Sequence, residues 1–106
     1  MLSKKTILQR IVGMTEHKYP GAEVYLFGSQ ARGDAHKTSD WDLLVLLDKD
    51  QVSFDLETQI MDDFYELELQ TGAVLSPLIY GKKEWLKRYK ITPLFETINK
   101  EGLKLQ

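Results

Sequence analysis

The sequence predicts an α/β (α+β) domain built on a small mixed β-sheet with helices packed on one face. Three observations predict it. Hydrophobic periodicity changes type along the chain, in the order helix, strand, loop, strand, helix, strand, helix, helix. The run from Asp40 to Asp48 is apolar at every position between Asp42 and Asp48, as a strand covered on both faces must be. The length of 106 residues, 42% of them hydrophobic, suits one modest core, so residues 1–106 are read as a single domain.

Each element has a local reason. From Ser3 to Lys18, Ile7, Ile11 and Met14 recur at helical spacing with Leu8 and Val12 beside them, Ser3 is a natural N-cap, and Pro20-Gly21 stops the run. Glu23 to Phe27 is a short apolar strand between turn residues. Gly28 to Ser39, rich in Gly, Ser, Asp and Thr, reads as a loop with one helical turn starting at Ser29. Ser53 to Thr71 is a helix capped by Ser53 and ended by Gly72, with Leu56, Ile60, Phe64 and Leu67 as its buried stripe and Met61 alongside. Ala73 to Tyr80 is a strand whose Pro77 assigns it to a sheet edge. Two shorter helices follow, Lys82 to Tyr89 and Pro93 to Lys100, the second with Thr92 as cap and Pro93 at its first position.

Composition narrows the function. The absence of cysteine excludes a disulfide framework, a thiolate metal site and a cysteine nucleophile. The opening Met1-Leu-Ser-Lys-Lys leads into no uninterrupted apolar run, and no stretch approaches the roughly 20 apolar residues of a membrane span. A cytoplasmic protein without a membrane partner is expected. The net charge of −2 argues against a nucleic-acid duplex as partner, which needs a broad basic face. Between Gln51 and Gly81 there is no Lys or Arg, whereas Lys82, Lys83, Lys87, Arg88 and Lys90 follow directly. Both runs read first as solvated surface. In the basic one, a helix with Trp85, Leu86 and Tyr89 inward and lysines outward needs no ligand.

One stretch exceeds this background, Phe27-Gly28-Ser29 through Asp40-Trp41-Asp42. Strand side chains alternate, so the carboxylates of Asp40 and Asp42 point the same way and Trp41 packs on the opposite side. Two repelling carboxylates on one exposed face suit a hard divalent cation, and Mg²⁺ fills its remaining positions with water and substrate phosphates. Gly28 admits close backbone approach, Ser29 offers a hydroxyl and N–H groups to a phosphate oxygen, and Arg32 adds a charge-assisted contact. Ser39 completes the expected nucleotide-binding set. Taken singly, each residue has a structural explanation as turn, cap or strand end. Jointly, Gly-Ser followed ten residues later by Asp-x-Asp has roughly one chance in a thousand in such a chain at average usage. His36, in the loop between the motif halves, reads as a solvent-exposed loop histidine.

These residues, within "LFGSQARGD" and "SDWDLLVLL", resemble the signature of the minimal nucleotidyltransferases (MNT) of the DNA polymerase β-like superfamily. The resemblance covers essentially the full element order. It implies a polymerase-β-like palm in which Asp40 and Asp42 bind Mg²⁺, two ions in all, and Gly28 and Ser29 hold the triphosphate of an NTP, ATP being the expected one. It further implies in-line attack by an acceptor on the α-phosphorus, and a partner that is a HEPN-domain toxin, with the chain as antitoxin.

The chain departs from the family in one respect. Active members place a third carboxylate on the next palm strand, where this sequence has Ser76 as its only polar side chain before Tyr80. Glu66 and Glu68 lie on a helix whose other face is buried and are expected to be solvated. Two rivals to Mg-dependent transfer therefore stand: an MNT-like antitoxin that acts only by binding its toxin, and an ATP-sensing regulatory domain. So small a palm is expected to borrow acceptor-binding parts from a partner protein or from a second copy of itself.

Overall fold

The computed structural model describes residues 2–36 and 39–106; the sequence-based readings at Met1, Lys37 and Thr38 lie outside it, as does the Arg88 side chain. Helix α1 (Lys4–Lys18) starts where Ser3 Oγ accepts the Thr6 N–H at 3.2 Å. Strand β1 (Glu23–Phe27) leads into the one-turn helix α2 (Ser29–Arg32), and β2 (Trp41–Leu47) follows the motif loop. Helix α3 (Phe54–Thr71) is capped by Ser53 Oγ, which accepts the Leu56 N–H at 3.1 Å, and ends at Gly72 in the left-handed region. Strand β3 (Leu75–Gly81), helices α4 (Lys82–Arg88) and α5 (Pro93–Glu101), and a two-residue strand β4 (Leu103–Lys104) complete the chain.

The sheet order is β3-β2-β1-β4. Strand β1 is antiparallel to β2 and β4, whereas β2 and β3 run parallel and are joined by the α3 crossover. Pro77 lies on the β3 edge, where its missing N–H costs no ladder bond. Strand β4 was not anticipated: two exposed residues leave no periodicity to read.

Alternation along the strands divides the core. On one face Val24, Leu26, Leu43 and Val45 pack with Ile7 and Ile11 of α1 and with Ile60, Phe64 and Leu67 of α3. Phe64, almost fully buried, contributes about 1.5–3 kcal/mol by burial alone. The third buried position of α1 is Thr15 rather than Met14, which is half-buried, and the Thr15 hydroxyl donates to the Gln106 side chain at 2.6 Å. On the other face Leu44 and Leu46 pack with Trp85 of α4 and Ile98 of α5. The mixed α/β fold is as expected, but one part of the expectation is corrected: α1 and α3 pack on one face, and the two short helices cover part of the other. The reason is that β2 is apolar on both sides, so its second row, Leu44 and Leu46, also demands a cover. That cover stops short of Asp42, which shares the row of Leu44 and Leu46 at the start of β2. Among the described residues no helix is long and apolar enough to cross a membrane.

Candidate active site

The antiparallel register sets Phe27 opposite Asp42, so the chain leaves β1 at Gly28 directly beside the Asp42 carboxylate. Gly28 has φ 75°, and a Cβ there would overlap Oδ2 of Asp42 and lie 3.2 Å from its Cγ. Glycine is thus required twice, by the backbone angle and by the carboxylate. The Gly28 carbonyl then accepts the N–H groups of Ala31 and Arg32, both at 3.1 Å, which coils α2 tightly and sets half-buried Ser29 at its first position. Gly33, at φ 84°, closes the turn.

Asp40 precedes β2 and is exposed, while Asp42 is half-buried within it. Burial and then the neighbouring Asp40 charge push the Asp42 carboxyl above the usual carboxylate range, with Arg32 opposing them. Ser76 is the parallel-register partner of Asp42, and its hydroxyl meets Asp40 Oδ2 at 3.4 Å. An open cleft of about 510 Å³ runs from Asp42 past Phe27, Met61, Ser76, Leu78 and Leu94. Among the described residues no group of three or more His, Cys, Asp or Glu side chains converges as a metal-ligand set. The two carboxylates nonetheless fit a divalent cation: they share a face, burial and then the Asp40 charge disfavour the charged form of Asp42, and a cation would offset both, with water or ligand oxygens filling its other positions.

The remaining motif residues are placed differently from one another. Arg32 forms ion pairs with Glu101 at 3.0 Å and Asp34 at 3.3 Å, so its guanidinium braces α2 against α5 while still acting on Asp42 through space. Ser39 points its hydroxyl back into the loop, where it accepts the His36 N–H at 2.7 Å, and its carbonyl faces the Gln30 amide at 3.4 Å. His36 is exposed, as expected. Sequence reasoning missed Gln30, which is buried on the inner side of α2, and Lys4, whose ammonium donates to the Gln30 carbonyl at 2.6 Å. These two fasten the motif turn to the start of α1. The only available signal was the position of Gln30 within the turn.

The other expectations resolve simply. Glu66 is exposed, and Glu68 is spent on the Leu75 N–H at 2.7 Å, so neither enters the cleft. In the basic run Lys82 pairs with Glu23 at 3.0 Å and Lys83 with Asp50 at 3.1 Å. Trp85 is buried with its ring 5.5 Å from those of Tyr80 and Tyr89. Leu86, expected to point inward, is exposed, because Trp85 already fills the space above Leu44 and Leu46.

Comparison with known proteins identifies a family and a fold. Residues 8–101 match the family profile described as "Nucleotidyltransferase domain". Among curated proteins no relative matches the chain. Among solved structures, the chain is similar to one in a toxin–antitoxin crystal structure with AMP-PNP, at 18% identity and TM-score 0.70, over 93% of this chain and 72% of the other. It is also similar to one in a mutant of the MntA-HpeT toxin–antitoxin, at 20% identity and TM-score 0.68, over 100% of this chain and 73% of the other. A third similarity is to the structure of a tri-AMPylated HEPN toxin in complex with MNT antitoxin from Shewanella oneidensis, at 16% identity and TM-score 0.65, over 98% and 72% of the two chains. The fold shared with these complexes and a family match spanning nearly the whole sequence lead to one assignment: this chain belongs to the nucleotidyltransferase domain family.

Proposed function

We propose that this chain transfers a nucleoside monophosphate from an NTP, with ATP as first choice, to a HEPN-type partner protein, and serves as its antitoxin. The observation that carries the reading is the fit of Gly28 against Asp42, beside Asp40 and ahead of Ser29, at an open cleft on the sheet face. The similarity to chains from toxin–antitoxin complexes, one of them holding AMP-PNP and another a tri-AMPylated toxin, supports the choice of nucleotide and partner.

In this reading Asp40 and Asp42 would hold Mg²⁺, which would supply charge neutralisation for the displaced phosphates. Ser29 donates its hydroxyl to a phosphate oxygen, and Gly28 leaves room for that approach. An acceptor hydroxyl oxygen bonds to the α-phosphorus and gives up its proton to solvent, the bond from that phosphorus to the bridging oxygen of the β-phosphate breaks, and pyrophosphate leaves. Most of the rate then comes from positioning.

Intact-mass spectrometry of the partner encoded next to this chain, after incubation with ATP and Mg²⁺, tests the reading. A gain of one or more adenylyl groups that disappears with Asp42→Asn is expected, and an unchanged mass contradicts it. A second reading, binding without turnover, is favoured by Ser76, which puts a neutral hydroxyl at the register position of Asp42 on β3. It predicts co-purification of the two proteins with no mass change. ATP sensing without transfer predicts heat on titrating Mg²⁺–ATP into the chain alone and, again, no mass change.

A further inference from the structure

Helix α3 buries one stripe and leaves a second one bare. Phe54, Met61, Tyr65 and Leu69 are 81%, 44%, 57% and 65% exposed. At 100° per residue these four positions fall within an arc of about 80°, so they form one line along the outer face rather than scattered apolar residues. Leu69 lies fifteen positions after Phe54, which makes the line about 22 Å long. Exposed apolar residues set singly need no explanation, but an aligned row of this length, rimmed by charge, marks an interaction surface.

The rim selects the occupant. The same helical geometry sets Asp55, Asp62 and Glu66 along one side of the line and Glu57 and Glu68 along the other. No Lys or Arg occurs from Gln51 to Gly81, and among the described residues no ion pair involves Asp55, Glu57, Asp62 or Glu66. A second copy docking by the same face about a two-fold axis would set acid against acid, which complementarity forbids. We propose that this face of α3 docks an amphipathic helix of a partner protein, apolar along its contact line and flanked on both sides by Lys or Arg. Met61 lies both on this line and on the wall of the Asp42 cleft, so a helix seated here is held at the mouth of the candidate active site. Naming that partner as the acceptor rests on the function proposed above. The docking itself needs neither nucleotide nor metal.

Two synthetic helical peptides test it in the absence of nucleotide: one with a leucine line flanked by lysines, and one with the same line flanked by glutamates. Binding is read by calorimetry against the full chain. The lysine peptide is expected to bind, with affinity falling at least tenfold in the double variant Tyr65→Ser with Leu69→Ser. The charge reversal Asp62→Lys with Glu66→Lys is expected to weaken the lysine peptide and to admit the glutamate peptide. All four positions are surface-exposed, and circular dichroism checks that each variant is folded. Equal binding of both peptides to the chain, or binding indifferent to the serine pair, overturns the proposal. So does sedimentation showing a dimer that the serine pair converts to monomer, since the occupant is then a second copy. Loss of adenylyl transfer alone leaves these peptide results unaffected, which separates failure of the docking surface from failure of the proposed reaction.

Discussion

Gly28 lies so close to Asp42 that a single added methyl group at Gly28 would overlap the aspartate's Oδ2. The motif turn and the strand carboxylate are thus one structural unit, joined by the Phe27–Asp42 register pair. Gly28→Ala is expected to strain the backbone by about 1–3 kcal/mol, because φ is 75°, and to push the carboxylate aside. Displacing a positioned group by about 1 Å costs on the order of 100-fold in rate. Single-turnover transfer is therefore expected to fall by about that factor, accompanied by a lower Tm in differential scanning fluorimetry.

In the proposed function, Asp42 sets activity against stability. Its folded pKa is raised by burial and by Asp40, so the group favours the fold when protonated and penalises it once pH rises through the folded value. Asp42→Asn removes that penalty at neutral pH. A higher Tm for the protein alone is expected, together with loss of the Tm increase that the proposed function predicts Mg²⁺–ATP to give in the unaltered chain. A Tm that drops in the variant contradicts this account of the site's electrostatics.

Ser76 offers a test by gain. Asp at this position would set a third carboxylate at the register partner of Asp42, near Asp40. Ser76→Asp is expected to lower the Mg²⁺ concentration for half-maximal nucleotide binding by several-fold. It is also expected to lower the metal-free Tm, since three acids then repel one another. Calorimetry across a Mg²⁺ series checks the first effect and a thermal melt the second.

Away from the site, Glu23 should govern part of the acid limb. The Tyr25 hydroxyl, donated at 2.5 Å, and then Lys82 hold its carboxyl below the ordinary value of 4.5. Its contribution is present above 4.5 and is lost as pH falls through the lower folded value, so Glu23→Gln should flatten stability against pH in that acid window. The same pairing acts at the alkaline end, where burial and Glu23 push Tyr25 up to about 12, while burial leads the rise of Tyr19 and Tyr80, also to about 12. Three of the five tyrosines should accordingly stay un-ionised at pH 11 in an absorbance titration of the folded protein.

What the sequence revealed about this site follows from the physics of each residue. The strand period alone put Asp40 and Asp42 on one side and Trp41 on the other, and Trp41 is indeed buried in the core beneath the sheet. The turn at Ser29 and the caps at Ser3, Ser53 and Thr92 depend on local chemistry, so they were legible too. The pairing of Arg32 with Glu101 was not, because Glu101 is distant in sequence and reaches it only through packing of α5. The hydroxyl of Ser39 was equally hidden: whether it faces a ligand or the His36 N–H depends on how the loop closes. The covering of the second sheet face depended on where α4 and α5 dock, which helical periodicity does not specify.

Label transfer from ATP carrying a labelled α-phosphate to the partner protein, with Mg²⁺ present, tests the central claim most directly. The account predicts label on the acceptor with the unaltered chain and at least a 100-fold loss with Asp42→Asn or Asp40→Asn, as expected when a group that neutralises developing charge is removed. Label transferred equally well by both variants would contradict it.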